Sequence, residues 1–122
     1  MEKSHFEKLV EQAILALPDE FRERLSNIDI EVEDYPSPND LRVKDLKPGQ
    51  TLLGVYHGVP VSRRGLGYNM VTPDRIIIFQ GPIERVSRSD DEVVERVGRV
   101  VRHEIAHHFG IDDQRLHELG YG

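Results

Sequence analysis

The sequence predicts an α+β domain, and three observations carry that prediction. Apolar residues recur at helical spacing near both ends, strand-like patterns fill the middle, and glycine and proline clusters divide the two. The chain is 122 residues long, the length of a single domain over residues 1–122. A domain of this size buries roughly two-thirds of its unfolded surface and holds a core without covalent staples. The expected architecture is a small sheet of about three or four strands against amino-terminal helices and one long carboxy-terminal helix.

The first helix follows from Phe6, Leu9, Val10, Ala13, Ile14 and Leu17, with Ser4 and Glu7 as an expected capping box. Pro18 ends it and opens a short second helix through Phe21 and Leu25. Ile28, Ile30 and Val32 alternate with Asp29, Glu31 and Glu33, the period of a strand with one wet face. Tyr35 to Asp40, with Pro36 and Pro38, reads as a loop. A short strand is expected over Leu52–Tyr56, closed by Gly58 and Pro60, and a glycine-rich connection over Ser62–Tyr68. Ile76 to Phe79 is a continuous apolar run, which suits a strand covered on both faces. Gly81-Pro82 then punctuates the chain. Ser89 and Glu92 form a second capping box, and Val93, Val94, Val97, Val100, Val101 and Ile105 continue it as a long helix to Phe109. Gly110 is its exit residue, and a last short helix runs from about Asp112 to Leu119 and stops at Gly120.

Composition excludes several functions. Acidic residues outnumber basic ones 22 to 16, a formal net charge of -6, which argues against nucleic acid or an anionic membrane as partner. With no cysteine there is no disulfide framework, thiolate metal site or cysteine nucleophile. Any metal must be held by histidine and carboxylate. No apolar run approaches the ~20 residues of a membrane span, and Met1-Glu2-Lys3 does not begin a signal peptide. The expected compartment is the cytoplasm.

The chemistry concentrates in His103-Glu104-Ile105-Ala106-His107-His108-Phe109-Gly110-Ile111-Asp112-Asp113. Two histidines four apart, His103 and His107, stack one turn above the other on one helix face, so their imidazoles can converge on one ion. Glu104, beside the first of them, stands where it can take a proton from water at that ion. A third ligand is needed. Gly110 can turn the chain back, and the returning candidates are Asp113, which we take, with Asp112 and His117 as competitors. Asp112 has another possible role as a helix cap. His108 points toward the apolar stripe of its helix and reads as a core histidine, or one that supports a ligand from behind, rather than as a ligand. Tyr121, His117 and Tyr68 are candidates for stabilising an oxyanion. An extended peptide could pair with a sheet edge in the Leu52–Tyr56 or Ile76–Phe79 strand.

The extended His-Glu-x-x-His-x-x-Gly-x-x-Asp pattern resembles that of the zincin-like metallopeptidases, especially the small bacterial family of minimal zincins. Leu52-Leu53-Gly54-Val55-Tyr56-His57-Gly58-Val59-Pro60 and Pro73-Asp74-Arg75-Ile76-Ile77-Ile78-Phe79 resemble that family as well. The resemblance implies a minimal zincin-like α+β fold, a Zn2+ ion on His103, His107 and Asp113, Glu104 as general base, and a peptide or protein substrate. It does not reach the metzincins, which have histidine where this chain has Asp113 and a methionine turn beyond the site; here Met1 and Met70 precede the motif. The function implied is a zinc-dependent metallopeptidase. The alternative is a non-catalytic zinc-binding interaction module that keeps the site for structure.

Other constellations carry less. Gly65-Leu66-Gly67 is only a fragment of a dinucleotide-binding fingerprint. Glu31, Glu33 and Asp34 are the wet side of a strand. His5 and His57 have no partners at metal spacing, and Arg85 to Arg88 is a solvated surface.

Overall fold

The apolar spacing near the amino terminus folds as helix α1 (Lys3–Leu15), which buries Phe6, Leu9 and Val10. The computed structural model describes residues 1–23, 25, 28–43, 51–58, 74–111 and 113–118, and for residues 42, 43, 113, 116 and 117 the backbone alone. The expected Ser62–Tyr68 connection, Pro60 and Gly120 lie outside the described residues. Ser4 does not cap α1. The helix starts two residues earlier, after Glu2, whose carbonyl accepts from Phe6 N–H at 3.0 Å, so Ser4 is already inside the first turn. Pro18 stands at the cap position of α2 (Asp19–Arg22), a single turn that ends before Leu25.

Three strands form one mixed sheet in the order β1-β3-β2. Strand β1 (Ile28–Glu33) runs parallel to β3 (Asp74–Phe79), and β2 (Gly54–His57) runs antiparallel to it. The continuous apolar run is therefore the central strand. Ile76 and Ile78 enter the main core with Phe6, Leu9, Val10, Val97 and Val101. Ile77 and Phe79 point the other way, into a second cluster with Leu52 and Val55. Both sets of side chains leave water, and each buried isoleucine or phenylalanine contributes roughly 1.5–3 kcal/mol. The strand expected over Leu52–Tyr56 starts two residues later, at Gly54, and ends one later, at His57. Leu53 still serves the sheet, its carbonyl accepting from Phe79 N–H at 3.0 Å.

Two short helices replace expected irregular segments. Helix α3 (Pro38–Val43) occupies the end of the expected loop. Ser37 and Asp40 cap it reciprocally: the Ser37 hydroxyl accepts from Asp40 N–H at 3.2 Å, and Asp40 Oδ2 accepts from Ser37 N–H at 2.8 Å. Helix α4 (Gln80–Val86) runs through Gly81-Pro82. Proline is tolerated there because it falls in the first turn, where its missing N–H has no partner to lose. Gly81 is demanded by packing, since a Cβ would lie 2.5 Å from the Tyr35 ring.

Asp40 also receives His57, whose Nε2 lies 2.7 Å from Oδ1. Burial pushes the Asp40 carboxyl up, but the Ser37 N–H, the His57 ring and the Ser37 hydroxyl outweigh it and hold the pKa below its ordinary value of 3.8. A lowered folded-state pKa gives stability that is full above the ordinary value and lost as pH falls through the lowered one. Urea midpoints of the natural chain and of Asp40→Asn should therefore converge as pH drops below 3.8. A gap that stayed constant into acid would refute this role.

The long helix is α5 (Asp90–His108). Its cap is the expected one: the Ser89 side chain accepts from Glu92 N–H, and Asp90, Asp91 and Glu92 suit the positive end of the helix dipole. Val94 is exposed, one position off the buried stripe. A last helix, α6 (Asp113–Glu118), follows. Among the described residues no helix is long and apolar enough to cross a membrane.

Candidate metal centre

Helix α5 buries Val93, Val97, Val100, Val101, Glu104, Ile105 and His108 against α1 and the sheet. That apolar stripe fixes the roll of the helix, and the roll decides where the motif points. His103 and His107 fall on the flank of the stripe, half-buried, while Glu104 is drawn inward to 3% exposure. The two imidazoles meet edge to face with ring centroids 4.4 Å apart. One ligand atom from each of His103, Glu104 and His107 lies within 4.8 Å of the others. Three groups able to hold a cation thus converge at the flank of the buried stripe, two half-buried and one buried.

The end of α5 is a built turn. Gly110 adopts φ 79°, its N–H donates to His107 O at 2.9 Å, and Ile111 N–H donates to Ala106 O at 2.9 Å. This is the double hydrogen bond of a Schellman motif, which a left-handed glycine allows. It returns the chain directly into α6, whose first residue is Asp113.

Glu104 is the electrostatic anomaly. Its Oε1 is buried without a hydrogen-bond partner among the described residues, and His107 Nδ1 is 3.3 Å away. A buried carboxylate oxygen left unsatisfied is costly, on the order of 1–3 kcal/mol or more, and such groups cluster where a ligand or reacting proton completes the shell. Two imidazoles and a carboxylate, with no thiolate, are also donors that suit zinc. The residues present therefore fit a zinc ion.

Several expected site residues cannot be placed beside these three. Asp112, Tyr68 and Tyr121 lie outside the described residues, as do the side chains of Asp113 and His117. The backbone puts Asp113 and His117 in α6, beyond the glycine turn. His108 is a core histidine, 1% exposed, with Nδ1 2.9 Å from Asp74 Oδ2. His57 is paired with Asp40, away from the three converging groups. Asp40, Asp74 and Tyr56 carry polar contacts that the sequence reading did not single out. The only local signal among them was the Ser37-x-x-Asp40 capping pattern.

The sheet supplies the floor of the site. A Cβ on Gly54 of β2 would meet Val100 Cγ1 at 2.6 Å and Glu104 Cγ at 3.3 Å, so α5 rests against the bare backbone of that strand. Of the two strands considered for pairing with a peptide, β3 is central, while β2 closes one side of the sheet among the described residues.

Comparison with known proteins agrees with this fold. A family model described as zincin-like metallopeptidase matches residues 25–122. No protein of curated function matches the chain. A solved structure, that of a conserved hypothetical protein from Thermus thermophilus, is similar with a TM-score of 0.60. It is 22% identical over 89% of this chain and 94% of that one, a likeness of fold. The chain belongs to the zincin-like metallopeptidase family.

Proposed function

We propose that this zincin-like chain is a zinc-dependent peptidase, with His103, His107 and Asp113 holding the ion and Glu104 acting as general base. The observation that carries the reading is the convergence of two imidazoles on a buried carboxylate whose Oε1 has no hydrogen-bond partner among the described residues. When bound, zinc supplies Lewis acidity, which makes water acidic enough to ionise near neutrality and polarises the scissile carbonyl. The chain's own residues do the rest. His103 and His107 bind through neutral ring nitrogens, held in register by one turn of α5. Glu104 is anchored inward and keeps an oxygen ready to accept the proton of the attacking water and pass it to the leaving amine. Asp113 completes the ligand set from the far side of the Gly110 turn. The substrate is an extended peptide or protein segment, which takes main-chain hydrogen bonds from β2 at the foot of Glu104.

The test is Glu104→Gln. The amide keeps the size of the side chain and removes the base. The zinc-loaded variant should retain one ion per chain while peptide cleavage falls by about 10²–10⁴-fold. Cleavage at the natural rate with zinc still bound would rule out Glu104 as the base, and failure of the natural chain to take up zinc would overturn the whole reading.

A further inference from the structure

Glu104 and His108 lie one turn apart on the inward face of α5 and are both buried. Opposite them on β2 stand Gly54 and Tyr56, two residues apart and so on one face of the strand. Four residues of helix rise about 6 Å and two residues of strand about 6.8 Å. The pairs are therefore nearly level, and the contacts agree: Glu104 Cγ lies over Gly54, and the His108 ring meets the Tyr56 ring edge on at 5.8 Å.

The His108 end of this alignment is tied to β3. Asp74 Oδ2 accepts the Tyr56 hydroxyl at 2.7 Å and stands 2.9 Å from His108 Nδ1. Asp74 is 2% exposed. Gly58 passes so close that a Cβ there would fall 2.5 Å from the Asp74 carboxyl carbon and 2.9 Å from the Tyr56 oxygen. Helix α5, β2 and β3 thus meet at one carboxylate. Such a buried polar group is a weak source of net stability, because its desolvation offsets its attractions. What it supplies is direction. Contacts of Val97, Val101 and Ile105 tolerate small slides and rolls of a helix, whereas two hydrogen bonds to one oxygen hold only within narrow distances and angles.

We infer that His108, Asp74 and Tyr56 form a positioning unit that fixes the height and roll of α5 on β2. Through the helix it sets His103, Glu104 and His107 for the ion. None of the three belongs to the ligand set; each acts through α5. The unit rests on the peptidase reading only in that zinc is one of its two readouts.

The experiment compares His108→Phe, His108→Asn, Asp74→Asn, Tyr56→Phe and, as control, Val97→Ala, a fully buried apolar position on the same helix. Zinc affinity is read by competition with a chelator, and amide exchange of residues 105–111 is read in metal-free protein. His108→Phe and Asp74→Asn should weaken zinc ten- to a hundredfold, the usual effect of losing an outer partner. They should also speed exchange in the last turn of α5 about tenfold. His108→Asn, which keeps a donor near the Nδ1 position, should recover most of the zinc affinity, and Val97→Ala should leave it within about twofold of the natural value. Equal losses in Val97→Ala and His108→Phe would reduce the unit to ordinary core structure and overturn the inference. Unchanged affinity and exchange in His108→Phe and Asp74→Asn would do the same. Should those two fail to fold, Tyr56→Phe decides, since it removes one oxygen and no carbon: several-fold weaker zinc and faster exchange support the unit, and no change overturns it. If the natural chain itself binds no zinc, the peptidase reading falls while the exchange comparison still judges the unit.

Discussion

His107→Ala is expected to lower zinc affinity by more than about a hundredfold, since even the loss of an outer partner costs ten- to a hundredfold. The same variant should barely change the stability of the metal-free chain. The His107 side chain is 22% exposed on the flank of α5. Its contacts with the His103 ring and Glu104 are one-turn pairs on the same helix, each of a kind worth about 0.2–0.5 kcal/mol, and alanine, the best helix former, offsets part of their loss. Its neighbour should behave differently. His108→Ala removes a side chain buried to 1% and takes one partner from the Asp74 carboxylate, which keeps the Tyr56 hydroxyl; the lost hydrogen bond costs about 0.5–1.5 kcal/mol before any cavity is counted. Two adjacent histidines are thereby separable: one governs the ion alone, the other governs the fold and, through it, the ion. Chelator competition and thermal unfolding of the metal-free variants measure both halves. Zinc affinity of His107→Ala within threefold of the natural chain would place the ion elsewhere and remove the basis of the peptidase reading.

The parts of this architecture that were legible in the sequence are those written locally. Helix α5 announces itself through Ser89 and Glu92 at its start, valines at helical spacing, and Gly110 at its end, and each signal acts within a turn or two of chain. The burial of β3 on both faces follows from four consecutive apolar residues, because only a strand covered on both sides hides them all, whereas its central place in the sheet appears only in the fold. His103, Glu104 and His107 share a helix, so helical geometry alone brings them together. Where local signals misled, the physics was positional. Proline and glycine at 80–86 and proline at 38 read as breakers, yet both prolines fall in first turns, where a missing N–H has no consequence. Ser4 and Glu7 matched a capping pattern that the backbone ignores, since Phe6 N–H is already satisfied by Glu2.

What stayed hidden joins residues far apart in sequence. Tyr56 and Asp74 are 18 residues apart, His57 and Asp40 17, and His108 and Asp74 34. No periodicity encodes such pairs; the two that meet at Asp74 exist because the sheet order sets β2 beside β3 and lays α5 across them, and the third because α3 meets the end of β2. The same is true of Gly54, which reads as an ordinary glycine before a short strand. Its meaning appears only when the helix arrives.

Gly54→Val should accordingly be among the most damaging single substitutions in the chain. Even a Cβ would stand 2.6 Å from Val100 Cγ1 and 3.3 Å from both Glu104 Cγ and the Ile77 carbonyl oxygen. Val100 cannot swing aside, because a β-branched side chain in a helix has essentially one χ1 state. The backbone of α5 must lift from β2, at a cost of ~1–3 kcal/mol or more for overpacking. Lifting α5 also carries Glu104 away from the floor of the site, and a displacement near 1 Å lowers turnover on the order of a hundredfold. A glycine in α5 itself gives the contrast. At Gly98 a Cβ meets only the Arg102 Nη1 atom at 3.2 Å, the free-swinging end of a long side chain. Gly98→Ala should stabilise by about 0.5–1 kcal/mol, the helix preference of alanine over glycine. Chemical unfolding of both variants, with zinc affinity and peptide turnover measured on each, tests the close approach of α5 to β2. Equal tolerance of side chains at both glycines would mean that the helix does not rest on the bare strand, and the alignment of Glu104 with Gly54 would have to be abandoned.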